Sequence, residues 1–343
     1  MQKPKGLLVA NGTIDIGQFW PDGVSDADTA KILVTMAGAS AFTFQPATGG
    51  PAKPTNAFVG AFMKGSDSID PKTGKPRHPK FVINTKSQIT VRFQGIDAPE
   101  LHFKPPHGHV DLRQHFGESS TIALSAFLKT IGPGPLPCRV ITRVNKPNDV
   151  FDIYGRFIGD VLVKQGTKEI NINHWLVQHG WAFPSFYDSM MEQEIRDLIA
   201  LTDEARKKGL NIWAKTAYTT DLGHIDRTLA TRPVHSAPAP DKGHVIIPKF
   251  YRRQYTWAVD VDRGASTAKN LKQFLLVPSN KDKFMMTDAF LKSLAGSSPK
   301  PPMIKLGAAI DDANHIIHAP GDFVIREAGS TLVHDNDIPV TAW

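Results

Sequence analysis

Cysteine is almost missing. Cys138 stands alone in 343 residues, so no intramolecular disulfide can form and no multi-cysteine zinc site can be built. Long apolar runs are missing too. No stretch approaches the ~18 apolar residues of a membrane span. The apolar run after the basic start Met1–Lys5 is far too short for a signal peptide. The expected location is therefore cytoplasmic, or exterior by a non-classical route, with no membrane partner. The histidines between Leu101 and His115 have neither a cysteine partner nor a His-Glu-x-x-His helix, which argues against zinc there. Acidic charge is in deficit. The net charge is +7, with 25 basic against 20 acidic residues in 1–218 and 15 against 13 in 219–343. A surplus of this kind suits a polyanion binder, although a mildly basic soluble protein has it as well.

What is present is concentrated in one segment, Arg92-Phe-Gln-Gly-Ile-Asp97-Ala98-Pro-Glu100. Val91, Phe93 and Gly95-Ile96 read as the end of a strand that Ala98-Pro99 breaks. The strand delivers Asp97 and Glu100 to its C-terminal rim, with Arg92 further back. That set suits phosphodiester cleavage. A metal needs carboxylate oxygens, an attacking water needs a base, and a developing phosphorane charge needs a guanidinium. A second guanidinium, Arg156, opens an apolar run after a turn at Tyr154-Gly155. A carboxylate pair, Asp26 and Asp28, precedes Thr29-Ala-Lys-Ile-Leu-Val. An amphipathic stretch from about Met190 to Leu210 ends at Leu210-Asn-Ile-Trp213. Each residue alone has an ordinary reading, such as Asp97 before a Pro turn or Arg156 in a strand-end ion pair.

In this order and spacing the four segments resemble the staphylococcal nuclease (thermonuclease) family, over roughly residues 5–215. The resemblance implies a calcium-dependent, sugar-nonspecific endonuclease that hydrolyses DNA and/or RNA to 3′-phosphorylated products. Calcium (Ca2+) would be held by Asp28, Asp97 and the main-chain carbonyl of Ala98, where the family usually has Thr. Glu100 would act as general base or water-orienting group. Arg92 and Arg156 would bind the scissile phosphate and stabilise its transition state. Tyr154 would help to hold the nucleotide, with Phe186 and Tyr187 near the family's two aromatics. Ile153 replaces a family Lys, which removes one cation for a terminal phosphate. The alternative is a member that has lost catalysis and serves as a nucleic-acid-binding or scaffold module. Such a member would be expected to lack several of these charges.

The fold expected for residues 1–218 is a five-stranded OB-fold barrel with appended helices. A long insertion at about 35–79 could carry a small core of Phe42, Phe44, Phe58 and Phe62, and its Lys72, Lys75, Arg77 and Lys80 could extend a nucleic-acid surface. Gly117–Ile131, Asn173–His179 with Asn173 as N-cap, and the Met190–Leu210 stretch read as helices. Residues 219–243 read as a linker, Pro-rich from Arg232 on. Residues 244–343 read as a β-rich domain of unknown fold, open to a protein partner. Its strands are expected at His244–Pro248, Tyr251–Val261 and Lys272–Val277, with two more within Ala319–Val333 and a helix at Lys283–Ala295. The cluster Phe250–Trp257 mixes aromatics and cations; it could stack on single strands or form a half-buried strand.

Overall fold

Leu8, Ala10 and Ile14 are fully enclosed while their neighbours are not, so the apolar start of the chain is a strand with one face in a core. The computed structural model describes residues 2–34, 41–55, 61–63, 80–81, 87–152, 154–224, 226–241, 243–326 and 332–334, the pieces at 61–63, 80–81 and 332–334 by backbone alone. Five strands form the central element: β1 (Gly6–Ile14), β2 (Thr29–Val34), β3 (Gln88–Phe93), β4 (Leu136–Val144) and β5 (Phe157–Gln165). β1 pairs antiparallel with β2 and β4, β2 with β3, and β4 with β5. β3 and β5 run parallel and complete the ring. The result is a closed five-stranded barrel of the OB type with helices appended.

Between β2 and β3 a further strand, Phe42–Gln45, pairs with β1 and buries Phe42. Phe58, Asp67, Asp70, Lys72, Lys75 and Arg77 of the insertion lie outside the described residues, and so does Ile153. α1 (Gly117–Ile131) buries Leu124 and Leu128. α3 (Glu192–Lys207) buries Ile195, Leu198, Thr202 and Ala205 along one face, as three-to-four spacing requires. α2 (Ile172–Gln178) is capped by Asn171, whose side chain accepts from the N–H groups of Asn173 and His174. Asn173, expected as that cap, is instead fully buried. It donates to the carbonyls of Gln94 and Gly159 at 3.0 and 3.2 Å and accepts from the Val161 N–H. A buried amide with these partners ties the end of β3 to β5.

The expectation of a β-rich C-terminal region needs correction over its first half. Tyr251–Val261 lies inside α4 (Pro248–Asp262), and Lys272–Val277 overlaps α5 (Leu271–Leu276). Pro248 sits in the first turn of α4, where its fixed φ favours helix. Phe250, Tyr251, Gln254 and Tyr255 recur at helical spacing and are all buried, which a two-residue alternation would not allow. His244–Pro248 holds an isolated bridge from Val245 to Tyr218 rather than a strand. Lys283–Ala295 begins as a strand, Lys283–Met286, and becomes α6 at Thr287–Leu294. The strands Phe323–Ile325 and Leu332–His334 fall within or at the end of Ala319–Val333, as expected.

These C-terminal elements share their cores with the barrel side. Phe186 and Tyr187 pair parallel with Val324 and Ile325. Met285, Phe290, Leu291 and Val324 belong to the barrel core. Phe183, Ala205 and Trp213 belong to a second core with Ile247, Phe250, Tyr251 and Phe323. The Pro-rich segment is fastened as well. The Ala239 N–H donates to the fully buried Glu118 at 2.9 Å, and the Phe116 N–H donates to Asp241 at 2.8 Å. No helix among the described residues is long and apolar enough to cross a membrane.

Candidate active site

Barrel closure brings the distant carboxylates together. β2 and β3 are in register from Thr29 opposite Arg92, and the Phe93 N–H donates to the Asp28 carbonyl at 2.9 Å. Asp28 therefore lies beside Arg92 in spite of the long insertion between them. After β3 the chain turns at Gly95, whose φ of +75° suits glycine. Ile96–Asp97 then pairs with Phe183–Pro184, and this short ladder fixes the Asp97 side chain at the rim. The Ala98 N–H donates to Asp28 Oδ2 at 2.7 Å. The Glu100 N–H donates to Gln114 Oε1 at 2.9 Å, and Gln114 donates on to the Ile246 carbonyl.

Arg92 stands between two carboxylates. It pairs with Asp28 and, at 2.5 Å, with Asp97 Oδ1. Burial opposes its charge, but Asp28 and Asp97 outweigh burial and hold the guanidinium protonated well above the usual range. A second guanidinium reaches the same carboxylates from outside the barrel. Arg252, on α4, donates to Asp97 Oδ2 at 2.9 Å and Oδ1 at 3.2 Å, and it pairs with Glu100 Oε1. Burial pushes Asp97 up, yet Arg252 and Arg92 together hold it below the ordinary carboxylate range. Glu100 goes the other way. Burial raises it, Arg252 draws it back in part, Asp97 and Asp28 add to the rise, and it settles at about 7. That value suits a group that takes a proton near neutral pH. Asp26 is pushed to about 8 by burial and by Asp28, and among the described residues its Oδ1 has no hydrogen-bond partner.

Arg156 is held by a tight turn. Asp152 Oδ1 accepts from the N–H groups of Tyr154 and Arg156, and Asp152 Oδ2 accepts from Arg156 Nε at 2.7 Å. Gly155, with φ of +77°, makes the turn at no steric cost. The guanidinium lies 5.3 Å from the centroid of the Tyr154 ring. Arg92, Arg156, Tyr154, Tyr187 and Arg252 all line one cleft of about 670 Å³. Phe186 does not join them, and its expected substrate contact is corrected. Successive strand residues point to opposite faces, so Tyr187 faces the cleft while Phe186 is fully buried in the core.

Arg252 is absent from the residues expected at the site, because in sequence Phe250–Trp257 reads as a strand or a stacking patch. Pro248 in a first turn, followed by Phe250, Tyr251, Gln254 and Tyr255 at helical spacing, is the signal that locates it on a helix flank. Asp26 is visible in sequence only as the neighbour of Asp28. Among the described residues, no three or more His, Cys, Asp or Glu side chains are gathered as they would be round a metal ion. The carboxylates are interleaved with the two guanidiniums instead.

Residues 90–215 match the family model of the staphylococcal nuclease homologues. The chain carries a domain of that family. The match begins inside β3, so Asp26 and Asp28 lie outside it and reach the site through barrel pairing. The chain is also similar to Endonuclease YhcR of Bacillus subtilis (strain 168), 29% identical over 138 residues. The similarity covers 38% of this chain and about a tenth of that protein's length.

Proposed function

We propose that the protein is a metal-dependent endonuclease that cleaves phosphodiester bonds of DNA and/or RNA, with calcium as the metal. The observation that carries this reading is the rim itself: Asp28, Asp97, Glu100 and Arg92 in mutual contact or close coupling, with Arg156 lining the same cleft as Arg92. The named activity of the Bacillus endonuclease supports it.

The donor types, though not their present spacing, suit a hard cation. Asp28 and Asp97 would offer carboxylate oxygens and Ala98 a main-chain carbonyl, while Asp26 holds a buried oxygen without a partner among the described residues. Burial, against the pull of the neighbouring guanidiniums, holds Glu100 at about 7 and Asp26 at about 8. Asp97 already serves Arg92 and Arg252, so a metal held here would have to share that carboxylate with them. Calcium held by these residues would supply charge that polarises the phosphate. The side chains supply the rest. Arg92 and Arg156 present planar forks that grip phosphate oxygens and strengthen as charge develops on them. Glu100, deprotonated above about pH 7, accepts a proton from the attacking water. Attack in line expels the 5′ oxygen and leaves a 3′-phosphate. Tyr154 and Tyr187 hold the adjoining nucleotide. A grip on phosphate rather than on base edges suits cleavage without sequence preference.

The deciding experiment is digestion of plasmid DNA and of RNA with calcium, with zinc and with EDTA. Cleavage with calcium and none in EDTA is expected. Full cleavage in EDTA, or dependence on zinc alone, would sink the assignment. Asp28→Ala should weaken the calcium dependence; if it does not, Asp26 is the next ligand to replace.

A further inference from the structure

The cleft has two unlike walls. The barrel wall carries Arg92, Arg156, Tyr187 and Tyr154, which is 65% exposed. The opposite wall comes from residues 249–326 and carries seven basic side chains and one carboxylate, Asp282; of the seven, Arg252 is paired with Asp97 and Glu100, and Arg326 with Asp188 at 3.9 Å. Asp282 is occupied by Lys249 at 2.7 Å and by Arg253 at 3.0 Å. Lys281 and Lys283 are exposed, and among the described residues neither has a carboxylate within ion-pair distance. Lys283 also stands directly opposite Lys305 across paired strands, although the Lys305 ammonium donates to the carbonyls of Val277 and Pro278 at 3.1 and 3.2 Å and to that of Asn280, which leaves Lys283, among the described residues, the free cation of the two. An anion bound between the walls would meet Lys283 and its exposed neighbour Lys281 first.

We propose that this C-terminal wall is a phosphate-binding subsite for a single nucleic-acid strand. In it Lys281 and Lys283, with Arg326 nearby, grip phosphates flanking the bond held at Arg92 and Arg156. The proposal rests on the nuclease reading for the identity of the polymer. Its size argues for a single strand. A cleft of about 670 Å³ has the volume of a small-molecule site, roughly 300–1,000 Å³, and takes a few nucleotide units but not a duplex. Exposed Tyr154 on one wall and a row of cations on the other are the two parts of a sequence-tolerant single-strand groove: a ring for bases to stack on and charge that follows the backbone. An acidic protein segment would use the cations but would have little use for the exposed ring.

The test is fluorescence anisotropy of a labelled 12-nucleotide oligothymidylate with the full chain in EDTA, over a range of salt. The Lys281→Glu/Lys283→Glu variant is expected to bind at least about tenfold more weakly. Its plot of log K against log salt should be shallower by about 1.4, since each lysine that neutralises one single-strand phosphate contributes about 0.7 to the slope. Both lysines are exposed, so its thermal unfolding should match that of the unaltered chain. If it does not, the salt slope is read on Lys281→Ala and Lys283→Ala singly, each expected to lower it by about 0.7. Oligonucleotide binding unchanged by these substitutions overturns the proposal, even where plasmid cleavage with calcium stands. Equal affinity for polyglutamate of the same charge, with the same lysine dependence, overturns the nucleic-acid assignment. Lysine-dependent oligonucleotide binding without any cleavage supports the subsite and removes the nuclease reading instead.

Discussion

Arg92 and Arg252 both hold Asp97, but they reach it from different parts of the chain. Arg92 stands on a barrel strand, inside the 90–215 family match, and its position follows from the register of β2 with β3. Arg252 stands on α4, beyond the match, and reaches the rim because α4 packs into a core shared with Phe183 and Trp213. The first arginine belongs to the barrel wherever the family segment folds. The second is available only when residues 244–326 are docked. The site of this protein is therefore a product of both regions, and its electrostatics differ from those of a barrel alone. Without Arg252, Asp97 would lose one of its two guanidinium partners and Glu100 would lose the charge that draws it down toward neutrality.

Removing the second region is the harshest way to break the comparison. A chain ending at Tyr218 loses the cover that Met285, Phe290 and Val324 give the barrel core and that Phe250 and Phe323 give the second core. Each large apolar side chain uncovered costs roughly 1.5–3 kcal/mol, and several together exceed an ordinary folding margin of about 5–15 kcal/mol. The expected outcome is an insoluble protein, or one without a cooperative thermal transition. A soluble truncation that cleaves with calcium would instead make residues 244–343 an independent unit and Arg252 an accessory.

The next test stays inside the barrel. Arg92→Lys and Arg156→Lys keep charge and lose the planar fork. Each is expected to reduce single-turnover cleavage by on the order of 10²-fold, the usual loss for one preorganised donor. Glu100→Gln should slow the same step and leave oligonucleotide binding in EDTA nearly intact, because the base acts on water. The three losses should not add, since the groups act as one unit. Cleavage within a few fold of the unaltered chain for all three would place the chemistry elsewhere and return the scaffold reading.

Legibility in the sequence follows the same division. Helix spacing marks α1 to the residue, and strand alternation marks the barrel strands to within a few residues, because burial on one face leaves a strict period in the chain. The Asp-Thr and Tyr-Gly-Arg segments are legible because short loops hold them to their strands. Asn173 passes for a cap, since a buried amide clamp and an N-cap draw on the same residue type. Phe186 and Tyr187 look alike in sequence, although one residue of offset turns a cleft-facing ring into a core ring. In the C-terminal region, Tyr251–Val261 alternates polar and apolar residues well enough to pass for a strand. The helical choice is made by packing: Phe250 and Tyr251 on one turn and Gln254 and Tyr255 on the next are all buried. Nothing local in the sequence says that Arg252 will meet Asp97, because that contact spans 155 residues and depends on tertiary docking.

The gentlest test separates the two arginines without dismantling either region. Arg252→Ala keeps the barrel and its forks but removes a positive charge that lowers Glu100. The sign follows directly. With that charge gone, the deprotonated form of Glu100 is less favoured and its pKa rises above about 7, so the acidic limb of the cleavage profile must move to higher pH. A shift of about one unit, or roughly a tenfold lower rate at pH 6, is expected for the loss of one close charge partner. The alkaline plateau should change much less than under Arg92→Lys, since Arg252 is not needed to grip the scissile phosphate. Calcium should also bind more tightly, because Asp97 is released from one of its two guanidiniums. The measurement is the pH profile of single-turnover cleavage together with a calcium titration. An unmoved limb and an unmoved calcium midpoint would mean that Arg252 does not tune the site. The C-terminal region would then act on the polymer alone, through its cationic wall.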